Sequence, residues 1–473
     1  ALPAWIVFPR FQSGASTVLT PLPRARAFFR LAENAFNYTL LGKQGFDTLA
    51  RTIEASESFE FLYSNLDEAV ELFASLADRH AAVSGPEVVA MAGCGQDQPL
   101  EPRAEFVRAG RAGWAGAEGP PLLLNAMAAP ERLRRLGKTG WDHLLRQARC
   151  ADALGRLDAR VADRGLLHEI PPRVADHFQA ARARAGQHER LVRLEVRHLE
   201  QALGGTGVPL VLLKGAAYVM QRLPVATGRL FGDVDILVPQ ERLGLVEQAL
   251  LAHGWEHVTL DPYDQRYYRT WMHELPPLRH RERQTVVDVH HTILPRSARL
   301  RPDPRLLLEA ARPVASPGPR VLAPADMVLH SAVHLFQDGD FQGGLRDLLD
   351  LDGLLRDFAG TDAVFWENLA ARSSQLGLDR PLFYALRFTS RLLGTPLPGV
   401  GSVAAAGRPP APVLVMMDRL ITLALVPDDP ERRRPAAGLA RWLLYVRSHW
   451  LRMPPLLLAR HLLRKSLRRG LVK

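Results

Sequence analysis

A short segment that alternates carboxylates with apolar residues constrains the fold of this chain more than any other feature. Residues 232–238 read Gly-Asp-Val-Asp-Ile-Leu-Val and are followed by Pro239. Because side chains i and i+2 of a strand share a face, Asp233 and Asp235 are expected to point the same way while the intervening side chains pack inward. The β-branched residues and the closing proline predict a strand. Taken alone, the two aspartates also fit a solvated strand face or a surface salt bridge.

A second alternating segment supplies a third carboxylate. Residues 286–290 read Val-Val-Asp-Val-His, which places Asp288 and His290 on one face of a predicted strand. If the two strands are neighbours, Asp233, Asp235 and Asp288 form a triad. Carboxylates held so close repel one another unless cations lie between them, and Mg²⁺ prefers oxygen ligands of this kind. We therefore predict a Mg²⁺ site, with Mn²⁺ as the alternative ion, suited to two ions and an in-line displacement on a phosphate.

These segments together resemble a known group of enzymes. Lys214-Gly215, the run 228–238 and the later Val-Asp-Val-His-His are similar to the nucleotidyltransferase superfamily that has the DNA polymerase β catalytic fold. More narrowly, residues 121–473 resemble a bacterial family of uncharacterised nucleotidyltransferases. The wider superfamily usually has Gly-Gly or Gly-Ser where this chain has Lys214-Gly215. The resemblance implies that a nucleoside monophosphate is moved from an NTP to an acceptor with release of pyrophosphate.

The resemblance also implies roles for individual residues. The expected catalytic and metal-binding residues are Asp233, Asp235 and Asp288, and the expected nucleotide-binding residues are Lys214, Gly215, Arg229, Gly232 and His290. Lys214 and Arg229 would neutralise the triphosphate, Arg as a planar fork and Lys as a point charge. The acceptor is left open between a small molecule, a protein hydroxyl and an RNA end. The alternative function is a non-catalytic regulatory or scaffold protein that retains the fold.

Histidines near the predicted strands raise the alternative of zinc. His290 and His291 follow Asp288, but no Cys or second H-x-x-H with suitable spacing completes a zinc site. Since His290 shares the face of Asp288, we expect it beside the metal-bound phosphates.

A second pair of histidines lies on a predicted helix that begins at Pro324. His330 and His334 are spaced i, i+4 and therefore share a helical face. We expect this helix to pack on the catalytic sheet with hydrogen-bonded histidines, rather than to hold a metal ion. The family resemblance implies that Arg346 and Asp350, further along, shape the acceptor pocket.

The predicted fold class is α+β, with a small mixed-sheet nucleotidyltransferase core embedded in a largely helical chain and a small N-terminal α/β segment. A chain of 473 residues exceeds what one hydrophobic core usually serves. We expect an N-terminal segment at 1–82, a Gly/Pro/Ala-rich linker at 83–120, a helical region at 121–204, the catalytic core at 205–300, a helical C-terminal domain at 301–436 and a basic amphipathic tail at 437–473.

The N-terminal segment has a resemblance of its own. Residues 3–11 (Pro-Ala-Trp-Ile-Val-Phe-Pro-Arg-Phe) and 31–38 (Leu-Ala-Glu-Asn-Ala-Phe-Asn-Tyr) are similar to the C-terminal part of HPr kinase-related proteins. Such a kinase needs a P-loop to bind phosphates. Gly42-Lys43-Gln44 lacks both the upstream glycine spacing and the hydroxyl of a P-loop, so we expect no kinase activity from this segment.

The net charge of +10 is concentrated at the C-terminus, because residues 438–473 contain seven Arg, two Lys and no acid. Pro454-Pro455 divides this tail into two predicted amphipathic helices. We expect the first to pack on the domain and residues 456–473 to bind an anionic membrane surface. The alternatives are that the tail packs on the domain with its charges in water, or that it binds RNA. RNA binding would favour exposed aromatic residues for stacking, which the second helix lacks.

Composition also bears on the compartment. Two cysteines make no disulfide framework, and neither a secretory signal nor an apolar run of ~20 residues is evident. These features predict a cytoplasmic protein, with peripheral contact at the inner membrane surface as the hypothesis for the tail.

Overall fold

A computed structural model describes residues 4–12, 14–34, 38–83, 122–258, 262–315, 318–338, 341, 343–398, 406–427 and 435–452. The described residues fall into two compact units, one within residues 1–118 and the other within residues 119–466. Almost all of the predicted linker and the whole of residues 456–473 lie outside the described residues. No described helix is both long and apolar enough to cross a membrane.

The first unit is a three-stranded sheet with helices. Its strands are β1 (Trp5–Phe11), β2 (Val18–Pro21) and β3 (Glu57–Tyr63), and its helices are α1 (Arg24–Asn34), α2 (Tyr38–Glu54) and α3 (Leu66–Val83). β3 lies in the middle, parallel to β1 and antiparallel to β2. A small core of Leu22, Ala27 and Ile53 lies between sheet and helices.

The structure corrects two expectations from the sequence of this unit. Pro21 to Pro23 indicate a turn and Gly45 the start of a helix, but Pro21 ends strand β2 and helix α2 begins at Tyr38. Asn65 and Asp67 are both candidate caps of α3, and Asn65 is the cap, because its Oδ1 accepts a hydrogen bond of 2.9 Å from the Asp67 backbone N–H. The likeness of this unit to HPr kinase-related proteins stays a prediction.

The second unit is built around a mixed sheet. Its strands are β4 (Val211–Leu212), β5 (Asp233–Leu237), β6 (Trp255–His257), β7 (Leu278–His280), β8 (Val286–His290), β9 (Arg312–Pro313) and β10 (Arg320–Val321). They lie in the order β6-β7-β8-β5-β4-β10-β9. β5 and β8 are parallel neighbours at the centre, while β4, on the other side of β5, runs antiparallel to it. The α+β fold class with a small mixed sheet is confirmed.

Along the chain, helices precede, separate and follow these strands. They are α4 (Leu122–Ala128), α5 (Lys138–Cys150), α6 (Leu154–Asp163), α7 (Pro172–Leu203), α8 (Lys214–Met220), α9 (Leu243–Ala252), α10 (Pro262–Trp271), α11 (Pro304–Ala310), α12 (Pro324–Asp338), α13 (Gly344–Thr361), α14 (Phe365–Gln375), α15 (Asp379–Leu393), α16 (Ala411–Ala424) and α17 (Pro435–Arg452). Short 3₁₀ turns occur at Pro130–Arg135, Leu167–Glu169, Pro224–Ala226 and Gln240–Arg242.

The sheet and the helical part meet along α12. This helix packs against α13, α14, α15 and α17 on the helical side and against α8 on the sheet side. Its apolar residues Val328, Leu329, Ala332 and Val333 are fully buried, which explains why a run with few charges forms the central helix of the C-terminal part. The starts of β5 and of α8 lie beside α12 and α13, and the candidate site is located there.

Candidate active site

The three predicted aspartates converge on adjacent strands. β5 and β8 pair in parallel with Asp235 directly opposite Asp288, two residues along from Asp233. One carboxylate oxygen from each of the three side chains lies within 4.8 Å of the other two. The Oδ1 atom of Asp288 is buried and has no hydrogen-bond partner. The alternation along each strand predicted which side chains share a face, and the pairing of β5 with β8 meets the condition on which the triad depended.

The three carboxyl groups have unlike electrostatic environments. Burial, reinforced by the neighbouring Asp235 and Glu274 carboxylates, raises the pKa of Asp288 to about 7. Asp233 is more exposed to solvent, but desolvation by nearby protein atoms and the charge of Asp235 also raise its pKa. Burial also opposes ionisation of Asp235, yet Lys214 and a hydrogen bond from His290 lower its pKa well below the usual value. One charged carboxylate therefore lies beside two that resist ionisation.

A divalent cation fits this group of side chains. It would take the orphaned Asp288 oxygen as a ligand and would offset the repulsion among the three carboxylates. An all-oxygen donor set with room for water and phosphate is the set that Mg²⁺ prefers.

Lys214 and Gly215 begin α8 next to the triad. The Nζ atom of Lys214 lies 3.8 Å from Asp235 Oδ2. Its backbone has φ of 39°, a left-handed conformation that is costly for a residue with a side chain. A Cβ on Gly215 would lie 2.7 Å from the Phe231 ring and 2.8 Å from Arg229 Nη1. The glycine is therefore needed so that the Arg229 side chain can lie against the start of α8.

Arg229 is held in place by buried groups. Its Nε donates to Asp350 Oδ2 at 3.1 Å, and its guanidinium lies 4.9 Å from the centre of the Phe231 ring. Asp350 also accepts a hydrogen bond from Arg156 on α6. The carboxylate of α13 thus fixes two arginines, and burial, which would lower the pKa of Arg229, is outweighed by Asp350, which raises it.

A pocket lies between the start of β5 and the helices α8, α12 and α13. It is lined by Lys214, Gly215, Tyr218, Arg229, Gly232, Asp233, Asp235, Ser331, His334, Arg346, Asp347 and Asp350. The Tyr218 hydroxyl lies 2.8 Å from Ser331 Oγ, which joins α8 to α12 across its floor. Most predicted site residues, including Arg346 and Asp350, line this pocket.

Two predicted site residues do not line the pocket. Asp288 and His290 are not among the pocket-lining side chains in the described part of the chain. The Nε2 atom of the buried His290 lies 3.0 Å from Asp235 Oδ1, so His290 is hydrogen-bonded to a carboxylate of the triad. Its predicted contact with phosphate stays a prediction.

The expected hydrogen bond is present for one of the two histidines of α12. His330 is buried, and the half-buried His334 has its Nδ1 atom 3.2 Å from Asp347 Oδ2 on α13. Although burial opposes it, the His334 hydrogen bond lowers the pKa of Asp347. Neither histidine belongs to a group of potential metal ligands among the described residues.

Sequence reasoning missed several side chains around the triad. Tyr218 and Ser331 are ordinary helical residues that only tertiary packing brings to the pocket. His273 and Glu274 lie in residues 263–283, whose many Arg, His and aromatic residues are typical of either a substrate-facing hairpin or an exposed loop. The structure instead has α10 there, followed by a stretch that pairs with the end of β8. The adjacent His273 and Glu274, two residue types that often bind metal ions, were the sequence signal that could have identified this group.

Comparison with known proteins agrees with this geometry. A family model described as uncharacterised nucleotidyltransferase matches residues 137–394, a span that contains every residue of the triad and the pocket. No curated protein and no solved structure matches the chain.

Proposed function

Because the chain belongs to the uncharacterised nucleotidyltransferase family, we propose that it moves a nucleoside monophosphate from an NTP to an acceptor in a Mg²⁺-dependent reaction. The observation that carries the proposal is the grouping of Asp233, Asp235 and Asp288, with oxygen atoms within 4.8 Å of one another. Asp233 and Asp235 line a pocket that also contains Lys214 and Arg229.

The triad would hold the cation. When bound to Asp233, Asp235 and Asp288, Mg²⁺ supplies positive charge to phosphate oxygens and lowers the pKa of a coordinated hydroxyl. The protein itself contributes position: β5 and β8 are rigid central strands, and the His290 and Lys214 contacts keep Asp235 ionised and oriented.

The charges of the pocket suit a triphosphate. The acidic groups on α13 are already compensated, since Asp350 is bonded to Arg156 and Arg229, and Asp347 lies beside His334 and Arg346. Three arginines, Arg156, Arg229 and Arg346, contact only these two carboxylates, so positive charge is in excess there, and Lys214 adds a cation next to the triad. Such preorganised charges stabilise phosphate oxygens without reorganisation during the reaction.

The proposed reaction forms one bond and breaks one. The acceptor oxygen bonds to the α-phosphorus of the NTP, the bond from that phosphorus to the bridging oxygen breaks, and pyrophosphate leaves. The acceptor proton passes to solvent or to a carboxylate. The acceptor belongs to one of three classes, a small molecule, a protein hydroxyl or an RNA end.

Calorimetry tests the binding half of this proposal. Wild-type protein should bind NTP only when Mg²⁺ is present, and Asp235→Asn should lose that binding because it removes a metal ligand and the His290 partner. Asp163→Asn, an exposed residue at the end of α6, is the matched control and should bind as wild type does. Equal binding with and without Mg²⁺, or in Asp235→Asn, would contradict the proposal. NTP binding with no transferred product from any extract would favour the non-catalytic scaffold instead.

A further inference from the structure

A second group of potential metal ligands lies beside the aspartate triad. It consists of His273, Glu274 and His290, each of which offers one atom within 4.8 Å of the others. The Glu274 Oε2 atom lies 3.5 Å from His290 Nδ1 and 3.8 Å from His273 Nε2. Ligand atoms ~2.0–2.2 Å from a tetrahedral Zn²⁺ ion are about 3.4 Å apart. The three atoms therefore need only small shifts to hold such an ion.

The backbone fixes the three side chains to one place. His273 accepts a hydrogen bond of 2.9 Å from the His291 N–H, and the Leu275 N–H donates to Val289 at 2.9 Å. Glu274 is thereby paired with His290 across an antiparallel bridge. The three ligands thus lie where the stretch after α10 pairs with the C-terminal end of β8.

The two ring nitrogens of His290 have different roles. Nε2 lies 3.0 Å from Asp235 Oδ1. A carboxylate oxygen only accepts hydrogen bonds, so Nε2 is the donor in this contact. Nδ1 then faces Glu274, and it is buried without a hydrogen-bond partner. A carboxylate on one ring nitrogen and a metal on the other is the usual setting of a zinc-binding histidine.

We propose that His273, Glu274 and His290 bind one Zn²⁺ ion at a site separate from the aspartate triad. Two imidazoles and one carboxylate suit Zn²⁺, whereas Mg²⁺ prefers oxygen ligands alone. Three protein ligands leave one tetrahedral position for water. The partial exposure of the His273 and Glu274 side chains, 12% and 15%, provides access to it.

The bound ion would join two parts of the molecule. It would clamp the stretch that follows α10 to the end of β8, and it would fix the ring of His290, which in turn orients Asp235. His290 is thus a positioning residue for the triad. The inference concerns metal binding in the absence of nucleotide. Its test therefore does not depend on whether the protein transfers nucleotides.

Metal titration of the demetallated full chain tests the proposal. With millimolar Mg²⁺ present, Co²⁺ should bind at one equivalent with visible bands typical of four-coordinate cobalt, and Zn²⁺ should displace it with Kd below about 1 µM. His273→Ala and the nearly isosteric Glu274→Gln should each weaken binding at least about tenfold. Circular dichroism should show that both variants keep their fold.

Two controls separate this site from its surroundings. His257→Gln removes another histidine of the same sheet, which bonds to Glu247 at 2.8 Å, outside the group; it should bind Co²⁺ as wild type does. Asp288→Asn disables the triad and should also retain Co²⁺. The proposal is overturned if wild type binds no Co²⁺ or Zn²⁺ below about 10 µM. It is also overturned if His273→Ala and Glu274→Gln bind normally, or if binding is lost in Asp288→Asn alone.

Discussion

At the scale of single residues, the candidate site depends on three identical side chains in unlike surroundings. Asp235 has Lys214 and His290 as charged or hydrogen-bonded neighbours and is ionised. Asp288 has a buried oxygen with no partner and a pKa raised by burial to about 7. The triad is thus ready for a cation, and the metal-free protein keeps a proton that the cation must displace.

The raised pKa of Asp288 predicts a pH-dependent affinity for Mg²⁺. A carboxyl group with a pKa near 7 is protonated below that pH, so metal binding there must release the proton. We expect the apparent affinity to fall as the pH drops below about 7, by up to about tenfold per pH unit, and to level off above it. Calorimetry from pH 5.5 to 8.5 measures this affinity. An affinity for Mg²⁺ that stays constant across that range would contradict the prediction.

Gly215 gives a second prediction at this scale. Gly215→Ala places a methyl group 2.7 Å from the Phe231 ring and 2.8 Å from Arg229, so we expect a loss of about 1–3 kcal/mol of stability and weaker NTP binding. Gly244→Ala on α9 is the matched control, because its methyl group meets nothing within 4 Å. Urea denaturation compares the two, and equal stability of both variants would contradict the packing described for Gly215.

At the scale of secondary structure, the neighbouring strands β5 and β8 and the helix α13 hold the site together. The period-2 pattern of each strand predicted which side chains share a face, and the parallel register then placed Asp235 opposite Asp288. Helix α13 supplies Asp350, which holds Arg156 and Arg229. The sequence pattern of α13 does not show which arginine side chains Asp350 contacts.

Asp350 therefore predicts a large effect on stability. Asp350→Asn leaves two buried guanidinium groups without their shared carboxylate, and breaking a buried ion pair in this way costs about 3–5 kcal/mol. Asp357→Asn, partly exposed on the same helix, should change stability by less than about 0.5 kcal/mol. Chemical denaturation with both variants decides this, and a small effect at Asp350 would mean that the arginines find other partners.

At this scale, the sequence predicts features of single elements but not the contacts between distant ones. Patterns local to one element were readable, which is why β5, β8 and the start of α12 were expected. Contacts that depend on how distant elements pack were not. Zinc was set aside because no second ligand pair lay at a suitable spacing from His290, yet pairing at the end of β8 brings His273 and Glu274 to it.

At the scale of the whole molecule, the catalytic unit carries the family match and the pocket, while the N-terminal unit has a separate core. We propose that residues 1–82 are not needed for nucleotide binding. A protein that lacks them should bind Mg²⁺ and NTP with the affinity of the full chain, as calorimetry can measure. A soluble, folded truncation that no longer binds NTP would contradict this independence.

The C-terminal helix α17 bears on the proposed membrane contact. Its inner face, with Ala437, Ala440 and Leu444, is buried, which agrees with the expected packing of this helix on the domain. Its outer face exposes Leu439, Trp442, Leu443, Val446 and Trp450 at helical spacing. An apolar face with aromatic residues, followed by the basic residues 456–473, suits an anionic membrane surface.

Co-sedimentation with liposomes tests this contact. The full chain should pellet with anionic vesicles more than with neutral ones, and less as salt rises, because exposed charges are screened over about 8–10 Å. Deletion of residues 456–473 and the change Trp442→Ser should each reduce pelleting, whereas Val364→Ser, an exposed apolar residue elsewhere, should not. Equal pelleting with neutral and anionic lipid would refute the proposal.

The most direct measurement of the central proposal follows the α-phosphate. Cell extract is incubated with Mg²⁺, the protein and an NTP that carries its label on the α-phosphate or on the γ-phosphate. The α-label should appear in an acceptor and the γ-label in pyrophosphate, and Asp235→Asn should slow transfer by about 10²–10³-fold. Transfer of the γ-label to the acceptor, or an equal rate with Asp235→Asn, would contradict nucleotidyl transfer at the triad.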